Sequence, residues 1–158
     1  MRISAAVVAL ALGLGLSAAA QMPAGMHMPP AVHEAGVPPF HHAPTARQAA
    51  QLPPTLNPQQ FNDPRVRDAY AMAAQVRKVL YQEPCYCGCD KEEVHHKSLL
   101  DCFAGTHASI CQTCMMEGVF TYQQTKQGKT PAQIRAAIES GAWKSVNLND
   151  LLLSQQTY

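Results

Sequence analysis

The chain has 158 residues with 12 Lys and Arg against 11 Asp and Glu, which gives a formal net charge of +1 at pH 7. Charges this closely balanced, with basic residues interspersed among acidic ones, exclude the basic surface that nucleic-acid binding requires. The hydrophobic fraction of 47% is sufficient for one domain with a modest core. The six cysteines are the feature that any functional interpretation has to explain.

The first twenty residues have the pattern of a secretory signal peptide. Arg2 precedes an apolar run from Ala5 to Leu16, and the small residues that end at Ala20 offer a cleavage site. The run is too short and too rich in Ala and Gly for a membrane anchor, and no later segment approaches the roughly 20 apolar residues of a membrane span. We therefore expect residues 1–20 to be removed, which leaves a soluble protein exported to the periplasm or the extracellular space.

Residues 21–60 have a different composition from the rest of the mature chain. Proline is frequent there, large apolar residues are sparse, and no helical or strand period persists, which predicts a flexible linker. The segment also concentrates possible copper ligands, namely Met22, Met26, His27, Met28, His33, His41 and His42. Such residues are common in low-complexity spacers, so they favour copper capture only modestly.

Helical periodicity with start signals begins at Phe61. We predict an all-α fold of about four helices in a small cysteine-rich domain over residues 61–145, followed by a C-terminal tail over 146–158. Asp63 and Pro64 form a cap with proline at the first helical position. The apolar spacing after them predicts a first helix that continues to about Tyr81.

Three more helices are predicted from capping signals. Asp90 with Glu93 resembles a capping box and predicts a second helix that ends near Gly105. A third helix follows Ser109 and ends at Gly128; its buried stripe is predicted to contain Cys111, Cys114, Met115, Gly118 and Tyr122. The fourth begins with the capping box of Thr130 and Gln133, has Ile134, Ala137 and Ile138 on its inner face, ends at Gly141 and is followed by Trp143 as an anchor.

The stretch "QEPCYCGCDKEE" places three cysteines at alternate positions. In an extended loop the side chains of Cys85, Cys87 and Cys89 project to one side, because strand-like backbone has a period of two. Their sulfurs can then converge on one ion, since the thiolates around a tetrahedral metal lie within about 4 Å of one another. A disulfide between two of these cysteines would close a small strained ring. A metal site, a thiol redox site and a disulfide framework all remain possible.

A second pair, Cys111 and Cys114, lies one helical turn apart at a predicted helix start. Backbone donors and the helix dipole lower the pKa of thiols in such positions, which favours metal ligands or redox nucleophiles. Together with Cys87 and Cys89 they would complete a four-thiolate site without any histidine.

Three further residues are weaker candidates. Cys102 lies between apolar neighbours and resembles a core residue. His96 follows the triple-cysteine segment, and His107 precedes Cys111 by about one helical turn, so either histidine is close enough in sequence to approach the cysteines. The full set of candidate metal ligands is Cys85, Cys87, Cys89, Cys102, Cys111, Cys114, His96 and His107.

The segments "EPCYCGC", "SLLDCF" and "THASICQTC" resemble a family of exported bacterial proteins named for their PCYCGC motif. The similarity extends from about Pro84 to Trp143 and includes the intact motif. It implies that the cysteines have a metal or redox role, but it implies no particular substrate.

The sequence favours a metal-binding protein over an enzyme. No nucleophile elbow, phosphate-binding loop, HExxH motif or paired carboxylates are present. We therefore predict an exported protein that holds copper(I) or zinc through its thiolates, with a second exported protein as a possible partner for metal or thiol exchange. Two alternatives remain, a thiol-disulfide oxidoreductase and a disulfide-stapled interaction module.

Overall fold

The computed structural model describes residues 30–91 and 94–151. Within these residues the backbone forms helices and no named β-strand, so the all-α prediction is confirmed. The α-helices are α1 (Ala46–Gln51), α2 (Pro64–Gln75), α3 (Arg77–Leu80), α4 (Leu99–Ala104), α5 (His107–Ile110), α6 (Gln112–Lys126) and α7 (Pro131–Glu139). Two 3₁₀ helices occupy Pro58–Gln60 and Ala142–Ser145.

Helix α6 lies at the centre of the fold and packs against five other α-helices, α2, α3, α4, α5 and α7. Tyr70 and Ala73 of α2 and Leu100 and Phe103 of α4 are fully buried in the core that α6 completes. Each large side chain buried in this way contributes about 1.5–3 kcal/mol. The hydroxyl of Tyr70 donates a hydrogen bond to the carbonyl of Gly105 at 2.8 Å, which ties α2 to the end of α4.

The first helix begins as predicted but ends earlier. The carboxylate of Asp63 accepts a hydrogen bond from the backbone N–H of Arg65 at 2.9 Å, and Pro64 occupies the first helical position. Helix α2 ends at Gln75 because Val76 leaves helical geometry, with φ −124° and ψ 25°. The short helix α3 follows and leads into the cysteine loop.

The second predicted helix begins eight residues later than expected, with Ser98 rather than Asp90 as its N-cap. The described residues before it form turns, and His95 has a φ of +48° that no α-helix contains. The helix start is set instead by Asp101, whose carboxylate accepts hydrogen bonds from the backbone N–H groups of Lys97 and Ser98. The pattern at Asp90 was therefore misleading, because the loop folds back on itself before the helix begins.

The last two predicted helices are present. Gly118 and Cys114 lie on the buried side of α6, whereas Cys111, Met115 and Tyr122 are only half-buried. Helix α7 begins with the predicted reciprocal hydrogen bonds of Thr130 and Gln133. Ile134, Ile138 and Phe120 form a small second core against which Trp143 packs, as predicted.

The segment before α2 differs from the predicted flexible linker. Phe40 is 1% exposed beneath the guanidinium of Arg135, 4.0 Å from its ring centroid, and Leu52 belongs to the main core. The backbone N–H of Leu56 donates to the carbonyl of Phe103 at 2.9 Å. These isolated apolar residues bury themselves against a surface that the helices provide, and such contacts produce no local periodicity.

Several predictions concern residues outside the described ranges. The signal peptide over residues 1–20 and the candidate ligands Met22, Met26, His27 and Met28 are among them, as is the end of the tail from residue 152. None of the helices in the described part of the chain is long and apolar enough to cross a membrane.

Gly118 allows α4 and α6 to approach each other closely. A Cβ atom at this position would overlap the ring of Phe103, with Cε2 only 2.6 Å away. The same two helices carry Cys102 and Cys114, so the close approach at Gly118 also sets the distance between those cysteines.

We predict that Gly118→Ala lowers the free energy of unfolding by about 1–3 kcal/mol, because the added methyl group forces Phe103 or the helices apart. Urea unfolding of the reduced, metal-free protein measures the change. Gly105→Ala is the matched control, since a Cβ there meets no atom within 4 Å and the backbone has ordinary φ. Equal stability of the two variants would contradict the packing argument.

Candidate metal centre

The loop between α3 and α4 turns sharply after its first two cysteines. Gly88 has a φ of +84°, a left-handed conformation that glycine adopts without steric cost, and its carbonyl accepts a hydrogen bond from the N–H of Lys91. The N–H of His96 then donates to the carbonyl of Cys89 at 2.9 Å, and that of Leu99 to Glu83 at 2.9 Å. These two hydrogen bonds connect the first part of the loop to its last part and to the start of α4.

Two helices provide the other cysteines. Cys102 lies in the middle of α4, Cys111 is the N-cap residue of α6, and Cys114 lies in the first turn of α6. All six cysteines are free thiols in this structure.

A buried group of four cysteines forms the inner group. The ligand atoms of its members all lie within 4.8 Å of one another, and the members are Cys85, Cys89, Cys102 and Cys114. The Sγ atoms of Cys85 and Cys114 are 3.4 Å apart, and those of Cys89 and Cys102 are 3.5 Å apart. No side chain of the inner group is more than 4% exposed.

A second group, the outer group, shares Cys114 with the first and contains Cys87, His107 and Cys111 besides it. The Sγ of Cys87 lies 3.6 Å from Nε2 of His107 and 3.4 Å from Sγ of Cys114. Cys87, His107 and Cys111 are only half-buried, so this side of the cluster reaches the surface.

His96 lies beside the cluster but outside both groups. Its Nδ1 is 3.3 Å from Sγ of Cys102, and its ring packs edge-on against that of His107 with centroids 5.1 Å apart. This geometry suits a side chain that orients a ligand through a hydrogen bond rather than one that binds an ion itself.

The structure thus brings all eight residues predicted as ligands into one region, although their role as ligands stays a prediction. Their grouping differs from the sequence-based expectation in two respects. The turn at Gly88 lies between Cys87 and Cys89, so the three cysteines do not line one side of an extended loop, and Cys87 belongs to the outer group whereas Cys85 and Cys89 belong to the inner group. Cys102, which resembled a core residue, is as central to the inner group as any other cysteine.

The thiols in the cluster do not ionise independently. Hydrogen bonding with Cys102, followed by Cys114 and Cys85, lowers the pKa of Cys87 and lowers that of Cys89 to about 3. Hydrogen bonding with Cys102 has the opposite effect on Cys114, whose pKa is raised. Neighbouring sulfurs and burial therefore oppose the lowering of the Cys114 pKa that is expected at a helix start. A bound cation would remove this competition by stabilising several thiolates together.

Two buried carboxyl groups near the cluster were not identified from the sequence. Oε1 of Glu117 accepts a hydrogen bond from the N–H of Tyr86 at 2.9 Å and so holds the cysteine loop against α6. Burial raises the pKa of Glu117 to about 8, although hydrogen bonds from Cys85 and from the backbone of Tyr86 partly oppose the shift. The sequence did not identify Glu117, because a glutamate one helical turn after Cys114 is expected to be an ordinary exposed helix residue.

Glu83 is completely buried at the start of the loop, and neither of its carboxyl oxygens has a hydrogen-bond partner. Burial raises its pKa to about 9, with a smaller opposing effect from Arg135 and an additional increase from Glu139. The carboxyl group is therefore protonated at neutral pH, which avoids the cost of an unpaired buried charge.

The chemistry of the two groups suits soft and borderline metal ions. A tetrahedral ion with metal–sulfur bonds of about 2.3 Å places its sulfurs roughly 3.8 Å apart. The separations of 3.4 and 3.5 Å in the inner group need only a small expansion to reach that value. The cluster could therefore hold a metal ion without rearrangement of the helices.

The model of a protein family described as "protein of unknown function with PCYCGC motif" matches residues 42–145, which is well over half of the chain. The chain belongs to this family. The match begins in the segment that precedes α1, consistent with the packing of Leu52 and Leu56 on the helices. The PCYCGC motif itself forms the loop that carries Cys85, Cys87 and Cys89.

No curated protein matches the chain, and no solved structure does either.

We predict that Glu83 contributes a loss of stability to the metal-free protein as pH rises from about 4.5 to about 9. The unfolded state loses the proton of Glu83 near its ordinary pKa of 4.5, whereas the folded state keeps it to about 9. In that range Glu83 binds its proton in the folded state but not in the unfolded state, so this group lowers the free energy of unfolding by up to about 1.4 kcal/mol per pH unit.

The plot of the free energy of unfolding against pH should therefore have a more positive slope for the variant Glu83→Gln than for the unmodified protein. Urea unfolding at a series of pH values, with reductant and chelator present, measures the two slopes. Glu34→Gln is the control because Glu34 is exposed and should leave the slope unchanged. Parallel slopes for the unmodified protein and Glu83→Gln would show that the raised pKa has been assigned to the wrong group.

Proposed function

We propose that this chain is an exported metal-binding protein whose thiolates hold a soft or borderline ion, copper(I) or zinc, as part of metal handling. The observation that carries the proposal is the convergence of six cysteine sulfurs and one imidazole into two overlapping groups of ligand atoms. A disulfide joins sulfurs in pairs, whereas four sulfurs that converge on one point match the coordination of a single ion.

The donor set supports these two ions above others. Thiolates select copper(I) and zinc over the hard cations calcium and magnesium, which prefer oxygen ligands. Four buried cysteines form a complete tetrahedral site for zinc, and an imidazole is compatible with either metal. The inner group is closed to solvent, as is usual in sites that retain their ion.

The location and the partner are further parts of the proposal. The signal-peptide pattern of residues 1–20 supports export to the periplasm or to the outside of the cell. The half-buried outer group offers the surface from which another exported protein could deliver or accept an ion by exchange of thiolate ligands.

We predict that protein isolated from its own compartment without chelator contains copper or zinc, and that Cys114→Ser weakens binding more than about 100-fold. Cys114 belongs to both groups, and even a residue that only supports a ligand typically changes affinity 10- to 100-fold. Elemental analysis and competition with a chelator of known affinity measure the two effects. Removal of the ion should also lower the melting temperature, since its binding is coupled to folding.

Ala108→Ser is the matched control for this variant. Ala108 is as fully buried as Cys114, so the control places the same hydroxyl in the core without removing a sulfur. It should lose stability but keep its metal. If native mass spectrometry finds all six cysteines in disulfides, the proposal fails and a disulfide-stapled interaction module is favoured.

A second candidate function, thiol-disulfide exchange, is favoured by one observation. Cys87 combines a lowered pKa with partial exposure, which is the profile of a reactive thiolate. Its sulfur lies 3.3 Å from that of Cys85 and 3.4 Å from that of Cys114, and either could resolve a mixed disulfide.

Selective alkylation of the reduced, metal-free protein at mildly acidic pH tests this candidate. We expect iodoacetamide to modify Cys87 well before Cys111, which is equally half-buried and so controls for access. A redox protein would in addition lose all turnover of a disulfide substrate in Cys87→Ser. Turnover that survives in this variant would exclude Cys87 as the nucleophile.

A further inference from the structure

Both ligand groups of the cluster contain the same sulfur. The inner group has Cys85, Cys89 and Cys102 around Cys114, and the outer group has Cys87, His107 and Cys111 around the same residue. Each group separately provides four ligand atoms within 4.8 Å of one another. The two groups together use every cysteine of the chain.

We propose that the chain holds two metal ions bridged by the thiolate of Cys114, an inner ion with four sulfur ligands and an outer ion with three sulfurs and one nitrogen. This inference rests on the proposed metal-binding function and specifies its stoichiometry and coordination. It assigns the outer nitrogen ligand to Nε2 of His107, which lies 3.6 Å from Sγ of Cys87.

The number of ligands supports two ions rather than one. A tetrahedral ion takes four ligands, so one ion in the inner group would leave Cys87, His107 and Cys111 without a metal although they converge in the same way. Thiolate sulfur has enough lone pairs to bind a second ion, and bonds of about 2.3 Å on both sides would place the ions within roughly 4 Å of each other.

Charge supports the same conclusion. A single divalent ion with four thiolates has a net charge of −2, and any additional thiolate beside it adds to that negative charge in a poorly hydrated site. The carboxyl groups nearest to the cluster are acidic and buried, so they cannot offset the charge. With all six thiolates ionised, one divalent ion leaves a net charge of −4 and a second ion reduces it to −2, which is favourable because charges buried at short range interact strongly.

The two ions should differ in how fast they exchange. The inner ligands are at most 4% exposed and come from the loop, α4 and α6 at once, so release of the inner ion requires these elements to separate. The outer ligands reach the surface, and an incoming thiolate or chelator can approach the outer ion directly. The outer ion is therefore the one that is exchanged with a partner, and the inner ion stabilises the fold.

The reduced mature chain loaded with ¹¹³Cd²⁺ tests the proposal by NMR and elemental analysis. We expect two cadmium ions per chain and two resonances, with the all-sulfur inner ion further downfield than the ion that has one nitrogen ligand. Because both ions bind the same sulfur, each resonance should be split by scalar coupling to the other. A limiting amount of chelator should remove the ion of the upfield resonance first.

The variant Cys111→Ser is expected to retain one ion with the downfield resonance and no splitting. Cys111 is half-buried at the N-cap of α6, so circular dichroism should show an intact helical fold. Cys89→Ser is the reciprocal variant, which should lose the downfield resonance and keep the upfield one.

Three results would overturn the two-ion proposal in different ways. One bound ion with a single resonance rejects it but leaves the proposed metal-binding function intact. Two ions without mutual coupling reject Cys114 as the bridge. Absence of any bound ion in the reduced chain rejects the proposed function itself.

Discussion

The contacts of the Cys114 sulfur are the constraint on which the site depends. This atom lies 3.4 Å from the sulfurs of both Cys85 and Cys87, so the first turn of α6 contacts the part of the cysteine loop that precedes the turn at Gly88. The loop cannot move away from α6 without separating both ligand groups. Cys114 is completely buried, and the helix that carries it is also the centre of the hydrophobic core. The site and the core are therefore one packed unit.

Several features of the fold serve to keep that point fixed. Gly118, one turn after Cys114, lets Phe103 pack directly on α6 and so brings Cys102 within reach of the loop. Glu117 on the same turn accepts the N–H of Tyr86, which positions the backbone between the first two cysteines. Each of these residues would look ordinary on an exposed helix. Their importance comes from the closeness of α4, α6 and the loop.

The cluster is also electrostatically unusual for a protein interior. Sulfurs with lowered and raised pKa values lie beside two carboxyl groups, Glu83 and Glu117, whose pKa values are raised by burial. Without a cation, this region can hold only part of its possible negative charge, because additional thiolates would repel those already present. A metal ion bound here would reduce this repulsion, because its positive charge would stabilise several thiolates together. Because the ion would stabilise the thiolates and the thiolates would bind the ion, we expect metal binding, thiol ionisation and folding to be coupled in this protein.

Local sequence signals determined the parts of this structure that depend on neighbours along the chain. The caps at Asp63 and Thr130 and the all-α class follow from hydrogen bonds and periodicity within a few residues, and the concentration of six cysteines indicated thiolate chemistry. The start of α4, the packing of Phe40 and Leu52, and the division of the cysteines into two groups could not be predicted in this way. Each depends on contacts between segments distant in sequence, such as the carbonyl of Glu83 with the N–H of Leu99 or the sulfur of Cys89 with that of Cys102. Spacing along the chain shows which ligands are available, but only the packing of the loop, α4 and α6 decides which of them meet.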